Sequence, residues 1–368
     1  MTVIPLRLVR RLAPGLAPLR WLVTHGWLRD ADAEWWLQRL HPLLSLDRVY
    51  ARVESRNWVA DDMLAITLRC NGNARHWQPG QHVQLHRVID GVRLSRSYSL
   101  TAVAPDGRIE LGIRRQPEGK VSGALLDELA VGERVELGQA QGNLVWPETA
   151  PSVLLLAAGS GITPLLGLLR EALASGYQAP VTLLHYVRQR SQRAFIKELQ
   201  QLMERYPNFH VRWALTGELA AADELAGRFR VEHVAPIAAQ SLLVCGPHGF
   251  VEQTRSWWES SPGSKPMQFE AFTAAQPVTC GEMQSVQLGF AKAHQQIIGN
   301  NQQNLLEQAE AGGLRPAHGC RQGICASCSC QLLSGRVRHV HSGLVSNEPG
   351  QSIRLCVSVP MGDVTLDL

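Results

Sequence analysis

The feature that most constrains this chain is a cluster of cysteines near residue 320. Five of its eight cysteines fall between residues 320 and 356. Cys320, Cys325 and Cys328 follow a C-x4-C-x2-C spacing, and Cys356 comes later in the setting Ile353-Arg354-Leu355-Cys356. Two irons need four thiolates, and this spacing suits them: a tight loop brings three sulfurs round one edge while a distant strand end supplies the fourth. Gly319 and Gly323 let the backbone wrap closely, so that N–H groups can point at sulfur. A structural zinc site favours paired C-x2-C or Cys/His knuckles, and this run is asymmetric. The spacing therefore points to a 2Fe-2S cluster on Cys320, Cys325, Cys328 and Cys356. Cys330 is the nearby rival ligand; the plainer reading makes it a small buried residue on the strand leaving the loop. Clustered cysteines in a chain with no secretory signal suit a metal site in a reducing cytoplasm rather than disulfides.

Such a loop needs a scaffold, and 368 residues with 45% apolar and 18% charged side chains can build two or three packed domains. The net charge of +4 is mild and no Lys/Arg-rich run is present, so nucleic acid is not an expected partner. Charge is uneven at the start: Arg7, Arg10, Arg11, Arg20 and Arg29 precede the first acid, Asp30. No apolar run reaches the ~18–20 residues of a membrane span, and the expected location is the cytoplasm.

Four segments and a linker follow from the pattern of apolar residues and turn signals. Residues 1–48 read as a helical extension broken at Pro14, Gly15, Pro18 and Gly26. Residues 49–147 carry strand-like runs at Val49–Val59, Met63–Cys70, His82–Val88, Arg108–Arg114 and Arg134–Leu137, and one helix-like stretch, Val121–Leu129. Short strands with Pro-Gly and Asp-Gly turns predict a small antiparallel β-barrel. Residues 148–272 alternate apolar strands (Ser152–Ala157, Val181–Val187, Val211–Leu215, Ser241–Cys245) with helical patterns (Thr163–Leu173, Arg193–Arg205, Gly249–Glu259), which predicts a parallel α/β domain. Residues 273–280 read as a linker. Residues 281–368 form a last unit with a hairpin, a helix at Gln303–Ala311 and the cysteine loop.

The α/β segment opens on Gly159-Ser160-Gly161-Ile162-Thr163-Pro164, a G-x-G-x-x-P run between an apolar strand and a helix. Backbone N–H groups at such a turn, with the helix dipole, bind pyrophosphate. Pro164 suits a first helical turn, where its missing N–H costs nothing. An ordinary strand-to-helix turn can also hold two glycines, so the setting carries the reading of Gly159, Gly161 and Thr163 as nucleotide contacts. The next strand ends in His185-Tyr186-Val187-Arg188-Gln189-Arg190-Ser191-Gln192-Arg193, with no acid before Glu198. NAD binders usually place an acid here for the ribose 2′-hydroxyl and NADP binders an arginine. Arg188 and Arg193 are the expected contacts, and NADPH is favoured over NADH.

Arg96-Ser97-Tyr98-Ser99-Leu100, read as lying at a strand end, and Gly119-Lys120-Val121-Ser122, opening a helix, resemble motifs of the ferredoxin-NADP reductase superfamily. The resemblance covers roughly residues 49–272, and residues 281–368 resemble a fused plant-type ferredoxin, which implies a β-grasp fold. It implies FAD as the flavin, with FMN the alternative. On that flavin, Arg96 would bind phosphate, Tyr98 would lie against the isoalloxazine ring and Ser99 near N5, with Gly119, Lys120, Val121 and Ser122 holding the pyrophosphate. Val244-Cys245-Gly246-Pro247 resembles the family's C-G-P turn, which implies Cys245 beside the nicotinamide with Gly246 and Pro247 shaping the site. Phe269-Glu270-Ala271-Phe272 resembles its C-terminal E-x-F element, which implies Glu270 near the reacting centre. Ser99, Cys245 and Glu270 are thus the implied catalytic set. Hydride transfer needs positioning more than strong acid–base chemistry, which fits so plain a set.

The expected activity is a relay from NADPH through flavin and cluster to a separate electron-acceptor protein. The Trp-rich, Arg-rich extension and the Arg96–Leu100 motif most resemble the NADPH-dependent electron-transfer partners of bacterial membrane acyl-CoA desaturases, which implies a membrane fatty acyl-CoA desaturase as acceptor. A soluble oxygenase or hydroxylase is the alternative destination, and a redox-sensing module the alternative role. Trp21, Trp27, Trp35 and Trp36 read either as packing on the barrel or as an interfacial surface at the inner face of a membrane.

Overall fold

The computed structural model describes all residues except 1–8, 10, 11, 13, 262–264, 273–281, 320, 322, 324–326, 341 and 342. The chain divides into two compact units, Met1–Glu270 and Ala271–Leu368.

The first unit begins with helices α1 (Ala17–Thr24) and α2 (Asp30–Leu40). Pro18 lies within the first turn of α1, where it forfeits no helical hydrogen bond, so it opens a helix instead of breaking one. Leu19, Val23, Ala33 and Leu37 face Leu43, Leu44, Leu46 and Tyr50. Buried Glu34 ties α2 to the following loop by accepting from Ser45 Oγ and the Leu46 N–H, both at 2.7 Å. Leu19 and Val23 of α1 are partly buried, Ala33 and Leu37 of α2 are buried, and Trp21, Trp27, Trp35 and Trp36 are left 50–77% exposed.

Six strands then close an antiparallel barrel: β1 (Val49–Ala60), β2 (Met63–Cys70), β3 (His82–Ile89), β4 (Val92–Val103), β5 (Arg108–Arg114) and β6 (Arg134–Leu137), in the order β1-β2-β5-β4-β3-β6. Alternation sends Val49, Ala51 and Val53 of β1 and Val83 and Leu85 of β3 into one core with Ile66, Leu111 and Ile113. Helix α3 (Lys120–Asp127) adds Val121, Leu125 and Leu126 to it. The two-residue turn Asp90-Gly91, with φ of 51° and 74°, joins β3 to β4 as a tight hairpin. Strand β4 can therefore begin at Val92, and the Arg96–Leu100 motif lies inside a long strand, not at a strand end, just before a register shift between Leu100 and Ala102.

The nucleotide-type sheet follows: β7 (Val153–Ala158), α4 (Ile162–Ala174), β8 (Val181–Val187), α5 (Ile196–Arg205), β9 (Phe209–Leu215), β10 (Leu225–Ala226), β11 (Ser241–Gly246), α6 (His248–Ser260) and β12 (Met267–Ala271). Its order is β10-β9-β8-β7-β11-β12. The chain moves outward from β7 and then returns to β11 on the other side, so the strand order switches at the C-terminal ends of β7 and β11, where open α/β sheets bind ligands. Helix α5 starts at Ile196 instead of Arg193. Phe195 takes a left-handed φ of 59°, buries its ring and donates its N–H to Val59 O at 3.0 Å, which breaks the helical run.

The second unit is a β-grasp. Strands β13 (Ser285–Phe290) and β14 (Gln295–Asn300), helix α7 (Leu305–Ala311), then β15 (Ser329–Ser334), β16 (Val337–His339), β17 (Val345–Ser346), β18 (Gln351–Arg354), β19 (Ser358–Pro360) and β20 (Val364–Leu366) make a five-stranded sheet β14-β13-β20-β15-β18 and a small sheet β17-β16-β19. Leu305, Leu306 and Ala309 of α7 pack into the same core as Leu288, Phe290 and Leu366. Asn304 caps α7 by accepting the Glu307 N–H at 2.9 Å.

Candidate functional site

The antiparallel register of β3 and β4 pairs His82 with Ser99 and Gln84 with Ser97. These four side chains share the face opposite the one that Val83 and Leu85 give to the barrel core. Ser97 Oγ and both ring nitrogens of His82 are buried without a hydrogen bond among the described residues. Unpaired buried polar atoms are costly, so this face is built for a polar ligand. Tyr98 points the other way and packs at the edge of the barrel core, where burial pushes its phenol up. Arg96 is exposed and makes a local bond to Ser95 O at 2.7 Å.

Helix α3 opens at Gly119 with no side-chain cap and no acid in its first turn. Ser122 Oγ donates to Gly119 O and accepts the Gln116 N–H, both at 3.1 Å, and a Cβ on Gly119 would meet that oxygen at 2.6 Å. Lys120 is exposed beside this uncapped end, while Val121 is spent on the core. Free N–H groups at a helix start suit a phosphate.

Gly159, Ser160 and Gly161 form one 3-10 turn between β7 and α4. A Cβ on Gly161 would overlap the carbonyl of Cys245, and one on Gly246 would lie 2.8 Å from Ala158 Cβ. The glycine turn and the Cys245-Gly246-Pro247 turn thus pack directly on each other, which is why neither glycine position has room for a side chain. Thr163 Oγ1 donates to Ser160 O at 2.9 Å. Burial holds His185 down at about 4, so its imidazole is neutral and donates from Nε2 to Gly159 O at 2.9 Å.

Cys245 is fully buried. Burial pushes its thiol well up, and the Glu270 charge adds to the push, so it stays an S–H at neutral pH. Glu270 Oε1 lies 3.2 Å from His82 Nδ1, with the two side chains 17% and 7% exposed. The contact is close enough for an ion pair but misaligned for a hydrogen bond. His82 thus lies opposite Ser99 on the paired strand and beside Glu270, and Glu270 in turn lies beside Cys245. The sequence reading missed His82; the available signal was a polar residue at the start of an otherwise apolar strand, after Pro79-Gly80-Gln81.

The basic loop after β8 differs from its sequence appearance. Arg190 Nη2 and Arg193 Nη1 both bind Glu224, at 2.6 and 3.0 Å, and the Glu224 side chain is only 3% exposed. Arg193 also sits over the Trp213 ring at 5.5 Å. Arg188 lies outside this cluster and is exposed.

In the second unit, Cys328 and Cys356 bring their sulfurs to 3.3 Å, beyond the ~2.05 Å of a disulfide. The Gly323 N–H points at Cys356 Sγ from 3.2 Å. Gly323 has φ 75°, and a Cβ there would press on Val357 at 2.8 Å. Two converging buried thiols with an amide aimed at sulfur fit an iron–sulfur cluster. Cys320 and Cys325 lie outside the described residues. Cys330 sits on β15 opposite Ile353, in the domain core, where burial pushes its thiol up.

Domain comparisons agree with this geometry. The oxidoreductase FAD-binding domain matches residues 50–146, the oxidoreductase NAD-binding domain residues 155–256 and the 2Fe-2S iron-sulfur cluster binding domain residues 292–361. Fold and site define the class: an oxidoreductase that binds FAD and a nicotinamide nucleotide and carries its own 2Fe-2S domain. The chain belongs to the iron–sulfur flavoprotein reductase family that includes the heme-dependent oxidative N-demethylase beta subunit of Ectopseudomonas mendocina, to which it is 34% identical over 295 residues, 78% of this chain and 88% of that one. It is 29% identical over 339 residues to an NADPH oxidoreductase of Mycobacterium tuberculosis, covering 90% of this chain and 88% of that one. The latter match is too long to fit within residues 49–368, so it enters the N-terminal extension. Among solved structures, phthalate dioxygenase reductase superposes with a TM-score of 0.60 at 23% identity, over 87% of this chain and 98% of that one, which shows a shared fold.

Proposed function

We propose that this chain takes electrons from NADPH and hands them, through its 2Fe-2S domain, to a separate oxygen-activating enzyme. The observation that carries the reading is the order of FAD, NAD and 2Fe-2S domains in one chain whose Cys328 and Cys356 thiols converge. When bound, the flavin accepts a hydride and releases electrons singly, and the cluster carries single electrons. The chain's own residues position and exclude. Arg96 and the α3 N-terminus from Gly119 to Ser122 would hold flavin phosphates. The face shared by His82, Ser97 and Ser99 offers the buried polar atoms of His82 and Ser97 for the reactive end of the ring. Gly161 and Gly246 let the glycine turn and the Cys245-Gly246-Pro247 turn close on each other and so shape the nucleotide site. Cys245, as a neutral thiol, offers a small uncharged wall for the nicotinamide, and Glu270 sets the charge beside it. Cys320, Cys325, Cys328 and Cys356 would hold the irons.

Arg188 is the residue we assign to the 2′-phosphate of NADPH, because Arg190 and Arg193 are already engaged by Glu224; the mycobacterial relative's name agrees with that cofactor. The demethylase relative supports an oxidative enzyme as acceptor. A membrane acyl-CoA desaturase is the second reading, and one observation favours it: four tryptophans of the extension stand at least 50% exposed, the chemistry of a bilayer interface. No helix among the described residues is long and apolar enough to cross a membrane, so that contact would be peripheral. Cys356→Ser tests the main reading: flavin reduction by NADPH should persist while cytochrome c reduction is lost. Full cytochrome c reduction by the variant would refute the cluster as exit. Co-flotation with anionic vesicles, abolished by Trp35→Ser/Trp36→Ser, would favour the desaturase.

A further inference from the structure

Around the cluster cysteines the second unit carries an unbalanced charge. Between Gly312 and Met361 stand five arginines, Arg315, Arg321, Arg336, Arg338 and Arg354, and one acid, Glu348. The unit's remaining acids fall outside this stretch, and three of them have partners, one of which, Arg321, is itself among the five. Glu310 pairs with Arg321, Asp367 binds Lys292 at 2.7 Å, and Asp363 Oδ1 accepts the Gln287 N–H at 2.7 Å.

The arginines are not scattered. Exposed Arg354 donates to the carbonyl of Gly323, the residue whose N–H points at Cys356 Sγ. Strand β19 begins two residues after Cys356, and the Val340 N–H at the end of β16 donates to Val357 O at 2.8 Å. Strand β16 thus runs toward the cluster ligand and ends beside it. Val337 on β16 is 1% exposed, so strand alternation turns Arg336 and Arg338 to the opposite, outer face. Register places Val345 beside Arg338, and the Met361 N–H donates to Arg336 O at 2.9 Å. Leu344, Val345 and Met361 are 70%, 47% and 42% exposed. The small sheet beside Cys356 therefore presents apolar side chains interleaved with arginine, the composition of a protein–protein contact rather than of a solvated face.

We infer that the sheet β17-β16-β19, with Arg354 at its cluster end, is the docking surface for the electron acceptor, and that the acceptor presents a carboxylate-rich face with an apolar centre. The inference rests on the reading that electrons leave through the cluster. Arginines steer an acidic partner during diffusion, and Leu344, Val345 and Met361 supply the dry contact once it arrives. Short contact at this sheet brings the acceptor next to the strand that carries Cys356.

The test uses the full holoenzyme and two forms of one haem protein: native cytochrome c, which is basic, and cytochrome c with its lysines succinylated, which is acidic. The acidic form should be reduced faster at low salt, and its rate should fall about tenfold or more between about 20 mM and about 300 mM ionic strength, as screening shortens the reach of the arginines. The native form should show no such fall. Arg336→Glu and Arg338→Glu should each reverse the preference while the cluster's visible absorbance and the rate of flavin reduction by NADPH stay unchanged; should either variant lose the cluster absorbance, Val345→Asp gives the same reading on the apolar side. Equal rates for the two cytochromes, or unchanged rates in cluster-replete variants, would overturn the docking surface. Full reduction of both cytochromes by Cys356→Ser would instead overturn the exit reading beneath it.

Discussion

Protonating His185 should loosen the nucleotide-binding sheet. The imidazole is fully buried on β8, donates to Gly159 O at 2.9 Å and has its Nδ1 enclosed without a hydrogen bond among the described residues. Burial brings its pKa from 6.5 to about 4. The folded value is the depressed one, so the unfolded chain binds this proton first and the fold loses stability as pH falls. The contribution is complete above pH 6.5 and drains as pH drops toward 4. Linkage puts the loss between about pH 7.5 and about pH 5 at about 2 kcal/mol, or about thirtyfold in the opening equilibrium. Hydrogen exchange of the β7 and β8 amides, corrected for intrinsic rates, should show that acceleration. In His185→Gln, whose amide can still donate to Gly159 O, the acceleration should be absent while exchange at pH 7.5 changes little. If wild type and variant accelerate equally, His185 is not the group responsible and the burial argument fails.

Two further substitutions probe the site. His82→Ala removes the buried neighbour of the Glu270 carboxylate, so flavin reduction by NADPH should slow about tenfold, or about 1.4 kcal/mol, in anaerobic stopped flow. His82→Gln should recover part of that rate, and an unchanged rate in His82→Ala would show that Glu270 needs no such partner. Gly161→Ala drives a Cβ into the Cys245 carbonyl, with backbone on both sides and nothing to swing away. It should destabilise the first unit by about 2–4 kcal/mol and abolish nucleotide binding; a normal melting curve with normal NADP+ titration would contradict the packing described.

What was legible in the sequence is what local chemistry dictates. The Gly159–Pro164 turn, the apolar strands of the sheet and the cysteine spacing each have a cause within a few residues, so each could be read directly. What was not legible depends on residues brought together from far apart. His82 meets Glu270 because β3 lies in the barrel while Glu270 lies on β12, the last strand of the other sheet. Glu224 pairs with Arg190 and Arg193, and Glu218 with Arg190, only because β9 lies beside β8 and delivers the following loop to them. The window His185–Arg193 shows three arginines and no acid, and it overstates the charge offered to a nucleotide. The same reasoning explains the extension. Its tryptophans invite a reading as core, but Leu19, Val23, Ala33 and Leu37 are the helix residues that pack on the Leu43–Tyr50 segment. Each helix can bury one stripe, and the smaller aliphatic residues occupy it. The tryptophans lie outside because the aliphatic residues of the two helices already hold the packed side.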